Sequence, residues 1–149
     1  VLVCEGGLAV AAAVPSGRDD LGRLIVASSG EVDEKPWKPL GDLPGVTHKV
    51  LWRSGDVVLG LIHLEPGAQN PAHVHQGAHH HILLTQGSAT MIGRPLDAGS
   101  YVYVPPGVPH EVVDVGPEGC TFFYTYRPVE VPARPAGSPL DEEWGAAAG

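Results

Sequence analysis

The chain has 149 residues, with 17 Asp and Glu against 9 Lys and Arg, a net charge of −8 and a pI near 5.3. That length suits one domain, and the acidic balance argues against a nucleic-acid surface or a polybasic membrane anchor. No apolar run approaches the ~18 residues of a bilayer span, and the two cysteines, Cys4 and Cys120, read as reduced thiols of a cytoplasmic protein, not as a disulfide framework.

The opening VLVCEGGLAVAAAV lacks a basic flank and is interrupted by Glu5-Gly6-Gly7, so it reads as an N-terminal strand and not as a signal peptide. Asp19-Asp20 before Leu21 to Leu24 offers at most one helical turn. Leu24–Ser28 reads as a strand, and 30–44, carrying Lys35-Pro36-Trp37-Lys38-Pro39, as an irregular arm. Further strands are expected over Val46–Arg53, Val57–Leu64, His79–Gln86, Ala89–Arg94, Tyr101–Val104, His110–Val115 and Thr121–Arg127. Each is rich in β-branched, aliphatic or aromatic residues and is bounded by Gly, Pro, Asp or Ser. Runs recurring about every ten residues indicate an antiparallel sandwich or barrel. No window carries sustained helical periodicity with a cap. After Arg127 come Pro128, Pro132, Pro135 and Pro139, then the acidic Asp141-Glu142-Glu143. The expected organisation is a single domain: an N-terminal strand and arm (1–44), a barrel (45–127) and a Pro-rich tail (128–149).

Eight histidines occur, at 48, 63, 73, 75, 79, 80, 81 and 110. His73 and His75, two residues apart on a strand, would share a face at ~6.5–7 Å spacing, close enough to converge on one ion because Zn–N bonds are about 2.0–2.1 Å long. In His79-His80-His81-Ile82-Leu83-Leu84, alternation decides which ring faces inward. The register with His80 inward puts Ile82 and Leu84 on the same apolar face, so His80 is selected. Pro105-Pro106-Gly107-Val108-Pro109 forms a rigid turn ahead of His110.

These segments resemble the paired motifs of the cupin superfamily. The first falls on Gly67, His73, His75, His80 and Gly87, and the second on Gly99, Pro105, Gly107, His110 and Asp114. Two positions depart from the pattern: His80 where Glu is usual and Asp114 where Asn is usual. The resemblance implies an all-β, double-stranded β-helix (jelly roll) barrel holding one divalent transition metal (Fe, Mn, Zn or Ni) on His73, His75, His80 and His110. Four neutral imidazoles leave the ion's full charge uncompensated, which suits an anionic or enolate chelator. His73-x-His75-x-Gly77-x-x-His80 is similar to the branch of acetylacetone-cleaving and dihydroxyacetophenone dioxygenases. Trp37, Leu43-Pro44-Gly45-Val46 and Glu118-Gly119-Cys120 are similar to the zinc-binding cupin halves of anti-sigma factors.

The expected function is therefore a non-haem Fe(II) or Mn(II) dioxygenase of a small enolisable ketone, diketone or phenol. Its pocket would be walled by Ile82, Leu84, Val102, Val104 and Val112. The alternatives are a zinc-dependent non-redox cyclase or isomerase, and a sensing or binding cupin whose metal is structural. In a metal-free cupin the same four rings would be ordinary barrel histidines. His79 and His81 are expected at solvent or a dimer interface, and His48 and His63 in hydrogen-bonded structural roles. Cys120 is expected as a small buried hydrophobe. A small-molecule substrate and a homodimer, the latter by resemblance, complete the expectation, with no nucleic acid or membrane as partner.

Overall fold

The computed structural model describes residues 24–128. The expected N-terminal strand, the turn at Asp19-Asp20, Cys4 and the Pro-rich, acidic tail beyond Pro128 lie outside the described residues. Described elements are α1 (Ser29–Glu34), β1 (Lys38–Pro39), β2 (Val46–Ser54), β3 (Val57–Leu64), β4 (Asn70–His73), β5 (Ala78–Met91), β6 (Arg94–Asp97), β7 (Tyr101–Val104), β8 (His110–Val113) and β9 (Cys120–Pro128). All pairings are antiparallel. The strands run in the order β1-β2-β3-β9-β5-β8-β4, with β6 and β7 also paired to β5. This is the double-stranded β-helix that the paired motifs imply.

β5 is the corner of the barrel. Its first part pairs with β9 and β7, and its last residues with β6 and β8. The register shift between Leu84 and Gln86 inserts an extra residue. Inward positions accordingly change parity, from Ala78, His80, Ile82 and Leu84 to Ala89 and Met91, all of them buried. A bulge is how a strand bends from one sheet into the next while keeping its apolar side inward. Gly87 completes the corner at φ +71°, and a Cβ there would run into the Gly119 carbonyl. The expectation of separate strands over His79–Gln86 and Ala89–Arg94 is thus corrected to one long strand. That strand ends earlier than expected, because Ile92 and Gly93 (φ 50° and 71°) form a two-residue hairpin turn into β6.

Leu24–Ser28 is not a strand. Leu24 and Val26 are 77% and 81% exposed, and Ser28 caps α1: its hydroxyl accepts from the Glu31 N–H, while the Glu31 carboxylate accepts from the Ser28 N–H. This reciprocal capping box is written in Ser28-Ser29-Gly30-Glu31 and overrides the weak strand character before it. The arm is therefore ordered over α1 and β1. Lys49 tethers it: the buried Nζ donates to the carbonyls of Val32 and Asp33 at 2.9 and 3.0 Å and lies 4.7 Å from the Trp37 ring centre. These contacts tie the C-terminal carbonyls of α1 to β2.

The core lies inside the barrel and includes Val46, Leu64, Leu84, Val104, Cys120 and Phe122. Cys120 is buried as expected, and burial pushes its thiol up to about 11. Among the described residues no helix is long and apolar enough to cross a membrane.

Candidate metal centre

Three elements bring the histidines together. His73 closes β4 and is the direct cross-strand partner of His110, which opens β8. Their ring centres are 4.2 Å apart. His75 does not lie on a strand with His73, as its spacing suggested. β4 ends at His73, and His75 sits in the following loop. Its position is fixed by the Gly107 N–H, which donates to the His75 carbonyl at 3.0 Å. The Pro-Pro-Gly turn thus holds two histidines, His110 through the chain and His75 through this bond. His80 arrives from β5, buried beside Ile82, with its ring centre 4.5 Å from His75 and 5.8 Å from His110.

One nitrogen of each of His73, His75 and His110 lies within 4.8 Å of the others, a spacing at which the three rings could hold a metal ion. Hydrogen bonding prepares two of them for it. His73 Nδ1 meets the Pro71 carbonyl at 2.8 Å, and His110 Nδ1 meets the Val108 carbonyl at 3.2 Å. A carbonyl only accepts, so each Nδ1 carries the proton and each Nε2 presents a lone pair. His80 lies beside this trio and is not one of the three. Its Nε2 is buried without a hydrogen-bond partner, an arrangement that is unfavourable for a lone pair unless a cation or donor meets it. Burial, then the neighbouring His75, His110 and His73, hold this ring neutral, pushing its pKa down to about 3. Burial and the other imidazoles also lower His75; burial lowers His110 as well, partly offset by the Val108 carbonyl. The donor set is made of imidazole nitrogens, which suits borderline transition metals.

The cluster forms part of the wall of a cavity of about 400 Å³. Ile82 and Val112 line it. Leu84, Val102 and Val104 do not: Leu84 and Val104 are fully buried in the core, and Val102 packs against it. The walls that alternation alone did not reveal come from β2, β3 and β9 and include Val50, Val58, Ile62, Phe122 and Tyr124. Tyr126 stands edge-on to the histidines, its ring centre 5.5 Å from His75 and 5.0 Å from His80. Gly60 makes room for the neighbouring ring, since a Cβ there would come within 3.2 Å of Tyr124 and collide with the Lys49 carbonyl.

His79 and His81 project from the other face of β5, against Tyr103 and Tyr101. The Tyr101 hydroxyl is 2.7 Å from His81 Nδ1. His63 bonds the Thr121 hydroxyl at 2.8 Å, the structural role expected of it. His48 differs from expectation by lining the cavity.

The sequence pattern of the ChrR cupin-like domain matches residues 27–130, a span that includes both histidine motifs and the whole described barrel. The chain belongs to this cupin family. Solved structures agree on the fold. The polyketide cyclase RemF from Streptomyces resistomycificus is 23% identical, with a TM-score of 0.57 over 72% of this chain and 83% of that one. A chain of the Rhodobacter sphaeroides complex of SigE with the anti-sigma ChrR is 22% identical (TM-score 0.56), and the match covers 64% of this chain but only 50% of that one. KdgF from Halomonas sp. is 21% identical (TM-score 0.54), over 63% of this cupin and 89% of KdgF. No curated protein sequence matches the chain significantly.

Proposed function

We propose that this cupin is a metal-dependent enzyme, a non-haem Fe(II) or Mn(II) dioxygenase acting on a small enolisable ketone, diketone or phenol. The observation that carries the reading is the orphaned Nε2 of His80 beside three further imidazoles, at the wall of a largely apolar cavity. His73, His75, His80 and His110 would hold the ion. A divalent ion bound there supplies Lewis acidity toward a carbonyl oxygen and, as iron or manganese, redox chemistry with O₂. In the overall reaction one carbon–carbon bond beside the carbonyl breaks, and each of the two products takes one oxygen atom of O₂.

The protein's own residues have three tasks in this reading. The carbonyls of Pro71 and Val108 fix the tautomers of His73 and His110. Ile62, Ile82, Val112 and Phe122 exclude water, so that an enolate formed in the cavity is not quenched by bulk proton exchange. Tyr126 restricts the rotation of His75 and His80 by its edge contacts.

The second reading is a metal-stabilised sensing module, favoured by the closeness of the His73, His75 and His110 nitrogens, which with His80 could saturate a tetrahedral zinc ion. Metal analysis of protein purified without a tag or added metal, paired with O₂ uptake on β-diketones and hydroxyacetophenones, separates the two. Iron or manganese with substrate-dependent uptake is the expected result. Tightly held zinc with no uptake on any substrate would overturn the dioxygenase reading.

A further inference from the structure

An enolisable substrate gives up a proton from carbon before its enolate can react, and in a largely apolar cavity a side chain has to receive it. The wall is short of bases. Among the described residues no Asp or Glu lines it. In the proposed function the lone pairs of His73, His75, His80 and His110 are committed to the ion. Phenols and guanidinium groups keep their protons at neutral pH, which sets aside Tyr124, Tyr126 and Arg53. Burial pushes the Tyr124 phenol up further. The Asn70 amide is not a base. Among the described lining residues, His48 remains.

His48 lies on β2 between its cross-strand partners, Lys38 of β1 and Ile62 of β3. Ile62 is paired onward with Phe122 of β9, and both line the cavity with it. The same imidazole borders a second cleft of about 370 Å³. His48, Val50 and Arg53 line both spaces. Of these three, His48 alone can take up a proton from one space and release it to the other. The charged groups near it are Lys38 opposite, Arg53 further along β2, and Lys35 and Lys49 in the second cleft; Asp56 lies in a cleft that Arg53 also lines. Burial first, then Lys38 and Arg53, lower the pKa of the ring, so at physiological pH it is neutral and carries a lone pair.

We propose that His48 is the general base of the reaction, taking the proton from the carbon beside the substrate's carbonyl. That carbon–hydrogen bond breaks, and its electron pair stays with the substrate as the enolate. The proton goes to the imidazole lone pair. The imidazolium then releases it to water in the second cleft, which restores the neutral ring for the next turnover. The assignment deepens the proposed function and rests on it for the enolisable substrate; the choice of His48 rests on the inventory of the wall and on its place between two spaces.

The test follows enolate formation without O₂, in the full chain loaded with Zn(II), which has no redox chemistry. Benzoylacetone, a β-diketone, is mixed with the protein by stopped flow, and the slow phase of its near-ultraviolet absorbance reads the conversion of ketone to enolate. The rate should rise with pH through the pKa of His48, below its ordinary 6.5. His48→Gln should slow this phase by about 100-fold and abolish the rise, with zinc content and final enolate absorbance unchanged. In His48→Ala, added imidazole should restore part of the rate, which a merely structural role would not allow. A slow phase as fast in His48→Gln as in the unaltered chain, a loss that imidazole leaves unrepaired, or no slow phase in the unaltered chain would overturn the proposal. The two readings fail separately. Substrate-dependent O₂ uptake with iron, beside full-rate enolate formation in His48→Gln, sinks the base alone. A His48-dependent rate with no O₂ uptake on any substrate sinks the dioxygenase alone.

Discussion

Replacing His80 by leucine should stabilise the metal-free chain and cripple the metal-bound one. Leucine is similar in size, and position 80 is 8% exposed with an unpartnered Nε2. A buried polar group without a partner is destabilising by about 1–3 kcal/mol, and an apolar group of the same shape relieves that penalty. For a domain of this size each kcal/mol moves Tm by about 4 °C, so in EDTA the variant should melt several degrees above the unaltered protein. Metal reverses the order. At a free ion concentration of 100 times the unaltered protein's Kd, binding adds about 2.7 kcal/mol to its stability. Loss of a ligand should weaken affinity more than the 10–100-fold typical of losing an outer hydrogen-bond partner. At the same ion concentration the variant then gains only about 0.4 kcal/mol or less. Thermal unfolding of both proteins, with EDTA and with added Mn(II), reads both effects, and His79→Ala on the outer face serves as the control that leaves the metal-induced shift intact. A His80→Leu variant less stable than its parent in EDTA, or one with an undiminished metal-induced shift, would refute the reasoning.

The metal-free chain should lose stability on acidification. His80 is held neutral down to about 3 in the fold but takes a proton near 6.5 once unfolded, so the unfolded state binds more protons between those values and ΔG falls as pH drops through that window. The slope contributed by this residue cannot exceed about 1.4 kcal/mol per pH unit, and urea unfolding at several pH values should show it diminished in His80→Leu. Gly87→Ala combines φ +71° with a clash against the Gly119 carbonyl and should destabilise by about 3 kcal/mol or more; a Tm unchanged within a degree would contradict the corner geometry. Ser28→Ala removes the capping hydroxyl of α1 and should reduce stability by about 1 kcal/mol, read as faster amide exchange at Glu31 with the metal site unaffected.

The double-stranded β-helix was legible because its signals are local and redundant. Both histidine motifs, the Pro-Pro-Gly turn and the alternation that turns His80 inward along with Ile82 and Leu84 are all short-range patterns. What escaped was set by chain irregularities. Strict alternation assigns Arg53 outward, and only a bulge fixed by the pairing of β2 with β3 brings it in. Alternation also counts Leu84 and Val104 as pocket walls because they share the inward face, but it carries no depth, and in the fold they lie fully buried. The sequence reads His75 onto a strand because Pro71 and the motif spacing give no sign that β4 stops at His73. α1 is hidden from sequence periodicity for a different reason. Its Ser-x-x-Glu signal was present, but the six-residue helix is too short to show periodicity.

Electrostatics limits what the site can hold. A carboxylate ligand at position 80, the usual arrangement in cupins, would neutralise part of a bound ion's charge. His80 brings no charge, and burial keeps it neutral over the physiological range, so a divalent ion on these four rings would present its charge undiminished to whatever enters the cavity. An undiminished charge at the wall of a largely apolar cavity favours an electron-rich ligand and disfavours neutral hydrocarbons and cations alike.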